Sequence, residues 1–110
     1  MAEAIIKAGI CGFTTRVHAH MNNDGGAVRL SIESDCPSVQ CLATRLAQVD
    51  PWREISYRGE GPVVLDEARA CLPHPACVVP GGILKCIEAA AGLALPADAA
   101  IHFQLEDGGA

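Results

Sequence analysis

The stretch from Phe13 to Glu33 leaves this chain the least conformational freedom. From Phe13 to His20 the side chains alternate in character. Phe13, Thr15, Val17 and Ala19 fall on one side, and Thr14, Arg16, His18 and His20 on the other. Successive residues of a strand point to opposite faces, so the pattern predicts a strand with one buried and one wet face. Asn22-Asn23-Asp24-Gly25-Gly26 follows, a run of residues that tolerate positive φ and close turns. Ala27 to Glu33 alternates again, with Val28, Leu30 and Ile32 on one face. A β-hairpin from about Phe13 to Glu33 is therefore expected.

The rest of the chain reads mainly as helix. Ser34-Asp35-Cys36-Pro37 is a helix start, with Asp35 or Cys36 at the cap and Pro37 in the first turn. Val39, Leu42, Ala43 and Leu46 then share one face. Cys41 falls on the opposite face with Thr44, Arg45 and Gln48, so it is expected to be exposed, a poor ligand and nearly silent when changed to Ser. Asp50-Pro51 ends this helix. Trp52 to Arg58 fits either a short strand or a packed loop, and Gly59-Glu60-Gly61-Pro62 reads as a turn.

Pro62 to Cys71 fits a short helix with Val64, Leu65 and Ala68 inward. Pro80 to Ala91 fits a longer one, with Ile83, Ile87, Ala90 and Ala91 on one face and Gly92 as its stop. Ala99 to Leu105 alternates as a last strand, with Ile101, Phe103 and Leu105 inward and His102 outward. Gly108-Gly109-Ala110 reads as a loose end. The expected fold is α+β in a single domain, 1–110. A small, mostly antiparallel sheet, made of the β-hairpin plus the C-terminal strand, has two main helices packed on one face.

Charge narrows the partners. Eight basic against thirteen acidic residues leave a net charge of −5. No run of Lys or Arg offers the basic patch that nucleic acid or an anionic membrane surface requires. The N-terminal residues do not join a basic start to a long apolar stretch, so neither a signal peptide nor a membrane span is expected. These features point to the cytoplasm. Six cysteines in that compartment read as ligands, nucleophiles or core residues rather than as disulfides.

Cys71-Leu72-Pro73-His74-Pro75-Ala76-Cys77 places two thiols and an imidazole in a stiff, non-helical loop. Cys36 and Cys77 each precede a proline-led helix, whose N-terminal N–H groups and partial positive charge favour thiolate. Cys11 precedes Gly12 at a strand start, where glycine would allow the backbone to approach an ion. Cys11, Cys36 and Cys77 are thus the candidate metal ligands, with His74 or Cys71 as the fourth. Cys86 lies at the edge of an apolar helix face and is expected to be packed. No nucleophile signature, phosphate loop or nucleotide fingerprint is present.

Two cysteine patterns resemble this one. The iron–sulfur scaffold family, comprising IscU and the N-terminal domain of NifU, carries a Cys-Gly before a hairpin, a Cys at a helix start and a His-Cys before a late helix. Cys11-Gly12, Cys36 and Cys77 fall in the same order. The TSCPD cysteine domain found with some ribonucleotide reductases is similar in Cys11-Gly12, Cys36-Pro37 and the paired-Cys loop from Cys71 to Cys77. The resemblance spans roughly Ile10 to Ala91. It departs where the scaffold pattern has an acid after its first Cys-Gly, since Phe13 follows Gly12 here. It departs again at His74, which stands three residues before Cys77 instead of beside it. The chain also resembles small uncharacterised bacterial and archaeal proteins with a late segment like Gly82 to Lys85 and Gly92 to Pro96, which implies no activity.

The resemblance implies an IscU-like fold and a metal-binding protein that holds an iron–sulfur cluster or zinc, with a cluster-carrier or assembly role and a possible protein partner. A metal-free thiol redox protein or enzyme, with Cys77 or Cys36 reactive, is the alternative from another class. An interaction module built around a structural zinc is the third.

Overall fold

The computed structural model describes residues 1–105. The hairpin forms as expected, from β2 (Thr14–Met21) and β3 (Val28–Ser34). Thr15, Val17 and Ala19 are buried on one face, while Thr14, Arg16 and His20 are exposed on the other. The register pairs Val17 with Ile32 and Ala19 with Leu30, which sets the apolar side chains of the two strands side by side.

The sheet is wider than the hairpin. β1 (Ala2–Lys7) pairs antiparallel with β2, and β4 (Gln48–Val49) pairs with β3, in the order β1-β2-β3-β4. The N-terminal segment Ala2–Lys7 is therefore an edge strand, with Ile6 buried and Ile5 exposed. The fold is α+β, with an antiparallel sheet whose inner face is covered by helices.

Among the described residues four helices form where two main ones were expected: α1 (Pro37–Arg45), α2 (Pro51–Glu54), α3 (Val63–Cys71) and α4 (Val79–Ala90). The ambiguous stretch from Trp52 becomes the short α2, because the Asp50 carboxylate accepts a hydrogen bond from the Trp52 N–H at 3.0 Å and caps it. α4 packs on β1 and β2, and α1 on β3. Val17 and Val28 of the sheet, Leu42 of α1, Val64 of α3 and Ile83 and Ile87 of α4 are fully buried in one core. Gly82 allows the close approach of α4 to β1, since a Cβ there would overlap the Ile6 side chain.

The expected C-terminal strand does not form. From Leu93 to Leu105 the backbone is neither helix nor strand, and Phe103 is 89% exposed. β4 takes only the start of the outer β3 edge, at Val28 and Arg29, and the Ile101–Leu105 segment pairs with no strand of the sheet, so its alternation alone does not make it a strand. The loose end expected at Gly108–Ala110 lies outside the described residues.

α3 depends on a buried carboxylate. Its cap residue, Pro62, offers no side-chain acceptor. Glu54 at the end of α2 supplies one. Its two carboxylate oxygens accept from the N–H groups of Val63 and Val64, both at 2.8 Å, and the residue is 3% exposed. Negative charge meets the helix at its positive end. Glu54→Ala leaves both amides without that acceptor in a dry site, so it is expected to destabilise the fold by roughly 2–3 kcal/mol. Glu54→Gln keeps one oxygen and should lose less. Urea denaturation of the two variants beside the parent reads both effects.

Candidate functional site

α1 and α3 lie side by side and bring together the feature with the most chemistry. Cys41 and Arg45 are one turn apart on α1, and Glu67 and Cys71 are one turn apart on α3. Two links join them. Cys41 and Cys71 form a disulfide with their Cα atoms 5.8 Å apart, and Arg45 Nη1 meets Glu67 Oε2 at 3.0 Å. The two links fix the helices as antiparallel, with Cys41 beside Cys71 and Arg45 beside Glu67.

This corrects the expectation for Cys41. The face of α1 that carries Cys41 and Arg45 is not a solvent face. It turns toward α3, and Cys41 is half-buried there. Helical periodicity located the stripe that meets the sheet, through Val39, Leu42 and Leu46, but a helix with two neighbours has two buried sides. The signal available in the sequence was the matching pair of i, i+4 spacings, Cys41 with Arg45 and Glu67 with Cys71.

The other expected site residues are spread out. Cys11 is exposed in a turn closed by the Gly12 N–H donating to the Gly9 carbonyl at 2.9 Å. Gly12 has φ of 74°, so its role is to permit the turn. Cys36 occupies the cap position of α1, half-buried, but its thiol makes no capping bond. The Cys36 N–H instead donates to Ser34 Oγ at 3.1 Å, and the same oxygen accepts from Thr15 Oγ1 at 2.8 Å. Cys77 is half-buried at the end of the proline loop, and His74 in that loop is exposed. Cys36, Cys71 and Cys77 all pack against the core from its rim.

Among the described residues, no group of three or more His, Cys, Asp or Glu side chains is gathered closely enough to hold a metal ion. Cys11, Cys36, Cys77 and His74 are not brought together as a ligand set, and the Cys71 sulfur is bonded to Cys41. These residues as placed do not form a donor set for zinc or an iron–sulfur cluster.

Two of the four histidines, His18 and His20, lie on β2. His18 Nδ1 stands 3.5 Å from Glu3 Oε2, and Arg16 Nη1 bonds Glu3 Oε1 at 3.0 Å. His20 lines a shallow polar cleft with Asn22, Asp24 and Arg29. His102 is exposed, though not on a strand.

Cys86 is buried beneath the sheet, with its Sγ 3.5 Å from the Ala2 carbonyl oxygen. Burial pushes this thiol up from its ordinary value. The folded state thus holds the Cys86 proton more tightly than the unfolded chain does. That contribution to stability is complete below the ordinary thiol range, about pH 8.5, and is lost as pH rises through the elevated value. The urea midpoint of the parent should fall between pH 8 and pH 10, and Cys86→Ala should flatten that slope. Cys86 should also be the last thiol alkylated in the native protein.

No helix among the described residues is long and apolar enough to cross a membrane. Comparison with curated proteins and with solved structures found no match. A family model matches across residues 2–103, nearly the whole of the described chain. The chain therefore belongs to that family, DUF6951, a family of unknown function.

Proposed function

We propose that this protein is a thiol–disulfide redox protein whose working couple is Cys41 and Cys71. The observation that carries this reading is the half-buried sulfur bridge between the middle of α1 and the last residue of α3. Its Cα separation of 5.8 Å lies in the ordinary disulfide range, so the two thiols can pair without moving either helix far. Residence in the cytoplasm belongs to the same proposal. Disulfides in that compartment are usually transient and catalytic or redox-sensing.

The chemistry is thiol–disulfide exchange with a dithiol or a glutathione-type thiol. A thiolate of the reductant attacks one sulfur of the pair, and the Cys41–Cys71 bond breaks as a mixed disulfide forms. A second thiol then displaces the protein sulfur. In sum, the protein disulfide gains two electrons and two protons, and the reductant becomes a disulfide.

The couple has a mechanical consequence. A bridge across a sequence separation of 30 residues restrains the unfolded chain by about 3–4 kcal/mol on the chain-entropy estimate. The parallel link, Arg45 to Glu67, is partly exposed and contributes no more than about 1 kcal/mol. The sulfur bridge therefore contributes more to the stability of the fold than the ion pair does, and its reduction lowers that stability.

Equilibration in glutathione buffers of defined ratio, followed by alkylation and mass analysis, tests the proposal. The expected midpoint lies above about −300 mV, in the range of working couples. A pair that stays oxidised well below that value is a structural staple, and the redox function is then lost. Cys41→Ser and Cys71→Ser should each lower stability by about 3–4 kcal/mol under oxidising conditions and by little under reducing ones. Iron and zinc assays on the same samples separate the metal-holding reading: stoichiometric metal in the reduced protein, released on oxidation, would replace the redox couple with a metal site.

A further inference from the structure

Among the described residues the sheet has an open edge, and the chain carries a strand-spaced segment that joins no sheet. β1 pairs with β2 on one side only among the described residues. The Ala8 N–H donates to the Phe13 carbonyl at 3.1 Å just beyond the strand. Alternation then turns the backbone groups of Ala2, Ala4 and Ile6 toward β2, and those of Glu3, Ile5 and Lys7 toward the open edge. Such an edge is a template for another strand.

The helix side of that edge is lined by small residues. Ala2 and Ala4 on β1 and Ala89 on α4 are half-buried, beside the place where Ile6 closes over Gly82. Meanwhile Ile101, Phe103 and Leu105 stand 74%, 89% and 68% exposed, in strand spacing, with His102 and Gln104 between them. The tail runs from Leu93, and its described residues are exposed throughout. The molecule measures 55 × 28 × 27 Å, elongated for a chain of this length. The residues matched by the family model run to Phe103 and so include most of this strand.

We propose that two copies of this chain form a dimer by exchanging tails, each Ile101–Leu105 segment adding as a strand to the β1 edge of the other copy. The added strand sets Ile101, Phe103 and Leu105 over the small-residue shelf and His102 and Gln104 on the polar outer face, in line with Glu3 and Lys7. Main-chain hydrogen bonds to Glu3, Ile5 and Lys7 give the affinity, and the shelf gives the register. A reciprocal exchange is closed by a two-fold axis, so assembly stops at two chains and covers both open edges. It also doubles the buried area, toward the ~1,200 Å² of a specific interface.

Light scattering coupled to size exclusion, on the full chain at increasing concentration, reads the assembly. Twice the 11.4 kDa chain mass is expected. Phe103→Asp removes the tail's central anchor. Ile5→Pro removes an N–H that faces the open edge while leaving the bonds to β2, because proline is tolerated on the free side of an edge strand. Both variants should run as monomers, with circular dichroism showing the fold retained. A monomeric parent at the highest concentration overturns the proposal, as does a dimer that survives either substitution.

Discussion

The Glu54 carboxylate is the interaction on which the arrangement of the helices depends. By accepting from the Val63 and Val64 amides it fixes where α3 begins. The phase of that helix follows. Val64 and Ala68 turn into the core, and Glu67 and Cys71 turn toward α1. A start displaced by one residue would rotate α3 by about 100° and carry the Cys71 sulfur away from Cys41. The neighbouring Arg53 adds to the same junction, with Nε donating to the Gly61 carbonyl at 2.9 Å and its guanidinium reaching Asp66. The turn before α3 is thereby held from both ends.

The six cysteines are chemically separated by where the fold places them. Cys86 is sealed under β1 and β2 with its thiol pushed toward the protonated form. Cys11 stands in water on a glycine turn. Cys36, Cys41, Cys71 and Cys77 occupy the rim where helices meet, half-covered. Rim positions suit exchange chemistry, because a reagent can reach the sulfur while packing limits the geometry it may take. The core beneath is aliphatic, as only four aromatic residues in the chain requires, and neither Trp52 nor Tyr57 is buried in it.

The polar outer face of the sheet and its bare β1 edge have different consequences. The outer face is satisfied by cross-strand pairs, with Glu3 serving both Arg16 and His18. Charged side chains of both signs facing solvent need no further cover. The edge differs because its unmet groups are backbone N–H and C=O, which no side chain of β1 can answer in place. The apolar tail differs in the same way, since water is a poor partner for Phe103. Each of the two features lacks what the other provides.

The local patterns were legible before any coordinates. Period-two alternation located the hairpin from Thr14 to Ser34, and helical spacing with proline and glycine punctuation located α1, α3 and α4. Residues such as Val17, Leu42 and Ile87 were readable as core for the same reason: the periodicity of a regular element decides which side chains share a face. Cys86 was readable as packed because it borders an apolar helix stripe. Which faces meet was not readable in this way. The sulfur bridge requires Cys41 and Cys71 to approach across 30 residues of chain, and that distance is set by how α1 and α3 dock. The N-terminal run became an edge strand, and the alternating Ile101–Leu105 did not become one, because a strand is made by its neighbour's hydrogen bonds and not by its own pattern. Sequence determined which side chains lie together on each element. Tertiary structure decided which elements touch, and with them which thiols can react with one another.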